Sequence, residues 1–108
     1  MYSEQLESAL NALVDQVRES EQCRNYREKF DAVNSDEGAM DCIGRIRELN
    51  MKVQQMSEEE YERESENISA RMEELCSDSR VSDFILAEVD FSRMYQYITD
   101  RIVSLLDE

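Results

Sequence analysis

From Val81 to Leu106 the chain reads VSDFILAEVDFSRMYQYITDRIVSLL, without a glycine or a proline. Proline is absent from the whole sequence, and glycine occurs only at Gly38 and Gly44. Proline breaks a helix by removing a backbone donor and clashing with the preceding turn, and glycine weakens one by its conformational freedom. A chain without such punctuation, and rich in Ala, Leu, Met, Glu, Gln, Lys and Arg, is made of the residues that lose least on becoming helical. The expected fold is all-α: an antiparallel helical bundle of about five helices with a helical hairpin and a long C-terminal helix. At 108 residues it is expected to form a single domain over 1–108. Charged residues make up 35% of the chain, but 41% hydrophobic residues at helical spacing argue against disorder.

The apolar periodicity places the helices. Tyr2, Leu6, Ala9, Leu10, Leu13 and Val17 share one face of a first helix over about Tyr2 to Arg18, with a break near Ser20. A second carries Cys23, Tyr26, Phe30 and Val33. In NSDEG, Asn34 is the expected cap of the third, with Glu37 completing a capping box. The third helix has Ala39, Ile43, Ile46, Leu49, Val53 and Met56 along one side. SEEEYE restarts the chain: Ser57 is a strong N-cap, and the acids after it suit the positive end of the helix dipole. The fourth helix has a thin stripe of Tyr61, Ile68, Met72 and Leu75, as expected for one arm of an antiparallel hairpin with the third. Asp78 or Ser79 is placed to cap the fifth helix, of roughly 28 residues and so about 42 Å.

On the fifth helix Phe84, Ala87, Phe91, Met94, Tyr95, Ile98, Ile102 and Leu105 form a broad stripe with Phe91 near its centre. Leu86, Val89 and Tyr97 lie on the other side among Asp90, Arg93, Asp100 and Arg101. An apolar centre with a charged rim is how many protein interfaces are arranged, which makes these three residues the candidate interface. Scattered exposed apolar residues are also normal on a solvated face. Glu88 falls within about 50° of the centre of the main stripe. It reads either as a buried carboxylate, paired with Arg24, Arg27, Arg45 or Arg71, or as a rim residue that reaches water.

The formal net charge of −14 argues against direct nucleic-acid binding, which needs a basic patch, and against an anionic membrane surface. No apolar run approaches the roughly 20 residues of a membrane span, so no membrane insertion is expected. The N-terminus MYSEQLESAL does not read as a signal peptide. Histidine is absent, which removes the commonest general base and metal ligand. There is no phosphate-cradling glycine loop and no nucleophile elbow, and the expectation is a protein that is not an enzyme. Cys23, Cys42 and Cys76 are an odd number at unpatterned spacing, read as reduced thiols in a cytoplasmic protein. Three thiolates with a fourth ligand from a partner are the alternative, an iron–sulfur or metal site. Free cysteine otherwise packs as a small hydrophobe.

Four segments carry a resemblance. They are LESALNALVDQVRESEQCRNYREKFDAV, SDEGAMDCIGRIRELNMKVQQM, SEEEYE and VSDFILAEVDFSRMYQYITDRI. In order and pattern the chain resembles the bacterial YlbF/YmcA family of small helical proteins. The final helix is the most telling, with Phe84-Ile85, Ala87-Glu88 and the large apolar run from Phe91 to Ile98. The resemblance implies a helical bundle that self-associates or pairs with related helical proteins. It implies a non-catalytic modulator of RNase Y-dependent mRNA processing that affects competence, sporulation or biofilm formation. Some complexes of the family hold iron–sulfur clusters through cysteines, including ones near the chain end. Here no cysteine follows Cys76, and Ser79 stands where the family often has proline. The leading expectation is thus a regulatory adaptor without a cofactor, in a homo-oligomer or hetero-oligomer, with RNase Y among its partners. The alternatives are a cysteine-based iron–sulfur or redox sensor using Cys23, Cys42 and Cys76, or a structural oligomer.

Overall fold

The computed structural model describes every residue from Met1 to Glu108. The fold is all-α: α1 (Glu4–Glu19), α2 (Glu21–Val33), α3 (Glu37–Gln55), α4 (Glu58–Leu75) and α5 (Ser79–Leu106). Helix α5 has the expected 28 residues. No helix is long and apolar enough to cross a membrane. The chain divides into two compact units, Met1–Glu28 with Ala87–Glu108, and Lys29–Leu86. The divisions fall inside α2 and α5, which run through both.

The unit Lys29–Leu86 holds most of the buried apolar side chains. Val33, Ala39, Ile43, Ile46, Leu75, Val81 and Phe84 are all removed from solvent. Each large one contributes about 1.5–3 kcal/mol by leaving water. Phe30 packs on Phe84 with ring centroids 6.1 Å apart and planes tilted by 48°. Helices α3 and α4 lie against each other as the expected hairpin, joined through Met56 and Ser57. Ser57 makes the turn definite, because its hydroxyl accepts from the Glu60 N–H at 3.2 Å. Leu75 is the one buried residue of α4, and Tyr61 at its start stands in solvent, as so thin a stripe requires.

The cap of α3 differs from expectation. Asp36, not Asn34, holds the N-cap, its carboxylate accepting from the Ala39 N–H at 3.0 Å. Asn34 is still committed to the preceding helix, donating its N–H to the Phe30 carbonyl at 2.8 Å. Asp36 also meets a second demand. The Arg80 guanidinium, in the first turn of α5, reaches its other carboxylate oxygen at 2.7 Å and Asp78 at 2.8 Å. Asp78 also accepts from the Arg80 N–H at 2.9 Å, so it serves the start of α5. Backbone and guanidinium donors together hold the carboxyls of Asp36 and Asp78 below their ordinary value. For Asp36 the Ala39 N–H is the larger cause, and for Asp78 the Arg80 side chain.

The other unit is built from α1, the first part of α2 and the rest of α5. Ser20 separates α1 from α2 in one residue. Its backbone is extended, its N–H and hydroxyl donate to the Val17 carbonyl, and its oxygen accepts from the Cys23 N–H. Only Cys23 and Ala87 are buried here. Tyr26 stacks on Phe91, centroids 5.3 Å apart and planes 28° from parallel. Phe91 is therefore half-buried rather than central, and Phe84, two turns earlier, is the sealed aromatic. The stripe of α1 forms as its spacing requires, yet no residue of α1 is buried.

Candidate functional site

On α5, Asp90, Arg93, Met94 and Tyr97 recur at i, i+3, i+4 and i+7 and so share one face. Glu21, Gln22, Arg24, Asn25 and Glu28 of α2 form the opposite wall. Between them lies an open groove of about 950 Å³. Its chemistry is mixed. Three carboxylates and two guanidiniums surround an apolar floor of Met94 and Tyr97. Tyr97 is 64% exposed although its ring is large and apolar. A tyrosine presents contact area at low entropy cost and a hydroxyl for orientation, and arginine forks recognise carboxylates bidentately. Such a surface can seat a helix that carries both charges and an apolar anchor. It offers no thiol, no serine and no histidine to act on a substrate.

The candidate interface residues are all exposed. Val89 and Tyr97 belong to this unit, and Leu86 to the unit Lys29–Leu86. Tyr97 alone of the three lines the groove. Sequence reasoning passed over Arg24, Arg93 and Met94 as site residues. The i, i+3, i+4, i+7 spacing on α5 was the signal that could have found two of them.

Glu88 requires a correction. No charged residue of the chain is buried, and Glu88 is only partly covered. The buried-carboxylate reading therefore does not hold, and the residue lies at the margin of the covered stripe. Two of the bases considered for it are engaged along their own helices. Arg45 meets Asp41 at 2.9 Å, and Arg71 approaches Glu74 at 3.7 Å.

The cysteines are all free thiols. Cys23 is buried in the unit of α1, while Cys42 and Cys76 are partly covered in the other. No three His, Cys, Asp or Glu side chains are gathered so as to hold a metal ion. Every buried side-chain polar atom has a partner.

A family model described as control of competence regulator ComK, YlbF/YmcA, matches residues 6–107. The chain is also similar to a UPF0342 protein of Staphylococcus saprophyticus. The two are 28% identical over 101 residues, which covers 91% of this chain and 89% of that protein. No solved structure matches the chain.

Proposed function

The chain belongs to the YlbF/YmcA family of competence regulators, and from that premise we propose that it is a non-catalytic adaptor that regulates by contact with other proteins. The observation that carries this reading is the groove floored by Met94 and Tyr97 and walled by Arg24 and Arg93. It is an open, mixed-charge surface suited to a protein helix. Val89 is a neighbouring contact on the same helix, and Leu86 is a contact in its own right. The process is RNase Y-dependent mRNA processing, and through it competence, sporulation or biofilm formation. The partners are RNase Y and related helical proteins of the same family.

The test joins binding to output. Tyr97→Ala is expected to weaken association with purified RNase Y, or with a co-purified family member, by about 1–2 kcal/mol. Its thermal midpoint should match the parent, because an exposed ring contributes little to the isolated chain. In cells lacking the parent protein, the variant should restore cleavage of RNase Y-dependent transcripts only in part. Transcript cleavage that is the same with and without the protein would overturn the proposed process. Full binding by Tyr97→Ala would overturn the proposed surface. The iron–sulfur alternative predicts a broad visible absorption band in anaerobically purified protein.

A further inference from the structure

The hairpin of α3 and α4 ends in an open, apolar-floored cleft. Met56 and Ser57 make the connection, and with Val53, Glu58, Tyr61 and Glu62 they enclose about 520 Å³. Two helix caps meet there and fix its shape. Met56 donates its N–H to the Val53 carbonyl at 3.2 Å, and Tyr61 donates its own to the Ser57 carbonyl at 2.9 Å. Val53 and Met56 are only half-buried, and the Tyr61 ring is 47% exposed. The charge around this floor is one-sided. From 53 to 66 the chain carries six carboxylates, at Glu58, Glu59, Glu60, Glu62, Glu64 and Glu66, against the one guanidinium of Arg63. This short stretch thus holds −5 of the net charge of −14. The helix dipole accounts for Glu58, Glu59 and Glu60 in the first turn, but its effect fades within that turn. Glu62, Glu64 and Glu66 lie beyond it. Glu58 with Glu62, Glu60 with Glu64, and Glu62 with Glu66 are like charges at i, i+4, which weaken a helix. Neither Glu58 nor Glu62 is paired with a base of the chain.

We propose that this cleft docks a cationic helix of a protein partner, one whose Lys or Arg side chains flank an aliphatic anchor. Charge complementarity selects that occupant. The anchor enters between Val53, Met56 and Tyr61 and leaves water there. Methionine suits such a floor, because its unbranched thioether adapts to what it covers. The flanking cations meet Glu58 and Glu62, and a cation over the Tyr61 ring gains attraction from its π face. Each cation also relieves repulsion along α4 that Arg63 alone cannot cancel. The same charge excludes other occupants. A phosphate backbone or an anionic lipid surface is repelled, and so is a second copy of a chain of net charge −14. The caps hold both walls in place, so the cleft needs little ordering on binding. All its residues belong to the unit Lys29–Leu86, and none lines the groove of Met94 and Tyr97. The inference therefore stands apart from the regulatory reading of that groove.

The probe is a synthetic peptide of about 14 residues with the repeat Lys-Leu-Leu-Lys, which as a helix has one apolar and one cationic face. Calorimetry on the full chain measures its binding, and NMR of the Val53 and Met56 methyl groups and the Tyr61 ring maps it. All three signals should shift on titration of the unsubstituted protein. Tyr61→Ala should raise the dissociation constant about tenfold. Glu58→Gln combined with Glu62→Gln should raise it about fivefold at low salt and less at high salt, where the charges are screened. Both variants should keep the parent's helical signal, because these side chains are exposed. Glu4→Gln with Glu7→Gln removes the same charge from α1 and should bind as the parent does, as should Tyr97→Ala. Equal weakening by the α1 pair would reduce the effect to the overall charge of the chain and overturn the proposal. Binding unchanged by Tyr61→Ala, or methyl signals that stay in place, would overturn it as well. The same peptide with Glu for Lys should not bind, and equal affinity for it would show that the acidic rim selects nothing. Signals of Val53 and Met56 that move with protein concentration alone would assign the cleft to a second copy instead. None of these results bears on transcript cleavage, so the two readings fail separately.

Discussion

In the unit Lys29–Leu86 the apolar stripe of α5 is sealed: Val81 is 0% and Phe84 2% exposed. In the other unit the same stripe, on the same helix, stands open: Ile102 is 47% and Leu105 53% exposed. The residues are alike in size and hydrophobicity. The difference is what lies beside them. The first unit contains the α3–α4 hairpin, which supplies Ile43, Ile46 and Leu75 to its core. The second has α1, whose own apolar face is uncovered. Helix α1, the first part of α2 and the rest of α5 do not enclose one another's stripes as fully as a hairpin and parts of two further helices do. The lesson is that periodicity records a face that favours burial, and the neighbours determine whether the chain itself provides it.

Substitutions along that stripe should show the contrast as a falling series. Phe84→Ala is expected to cost about 3–5 kcal/mol in a denaturant titration, the range for deleting a sealed aromatic ring. A loss below about 1 kcal/mol would mean that the hairpin unit has no tight core. Phe91→Ala should cost less, about 1–3 kcal/mol, because the ring is half-buried and loses its stack on Tyr26. Equal costs at the two sites would erase the distinction between the units.

The turns that build the hairpin unit give smaller effects. Ser57→Ala should destabilise by about 1 kcal/mol through the lost cap to the Glu60 N–H, measured as a shift in denaturation midpoint. The Asp36–Arg80–Asp78 cluster predicts a pH dependence confined to acid. Folded-state carboxyls held below the ordinary value of 3.8 stabilise the fold above that pH. The contribution is lost as pH falls through the lowered folded values. Arg80→Ala should flatten this acid limb and leave stability at neutral pH little changed, because the pairs are exposed and screened. An acid limb unchanged in that variant would assign it to other carboxylates. Smallest of all, Ile102→Ala should alter the stability of the isolated chain by no more than about 0.5 kcal/mol at high dilution. A loss near that of Phe84→Ala would show that this end is packed within the chain after all.

Much of the fold could be read from local chemistry. Ser57 followed by three acids, the stripe of α3 and the unbroken run from Ser79 to Leu106 are short-range signals, and the helices form where they place them. Asp36 was missed as a cap although its bond to the Ala39 N–H is local; what no window on NSDEG contains is its second contact, to Arg80, forty-four positions away. The groove was half legible. The spacing of Asp90, Arg93, Met94 and Tyr97 puts them on one face, but nothing in the sequence brings Glu21, Arg24 and Glu28 opposite them.

By itself the amino-acid order determined that the chain is helical, where most of the helices begin and which side of each is apolar. Those properties arise from backbone propensity, caps and periodicity over a few turns. Only the tertiary structure decided that Phe84 is sealed while Phe91 is shared with a tyrosine, that Glu88 is only partly covered, and that no residue of α1 is buried. Burial depends on which surfaces meet. That is set by the joint packing of segments distant in sequence, where one stripe can be closed at one end and left open at the other.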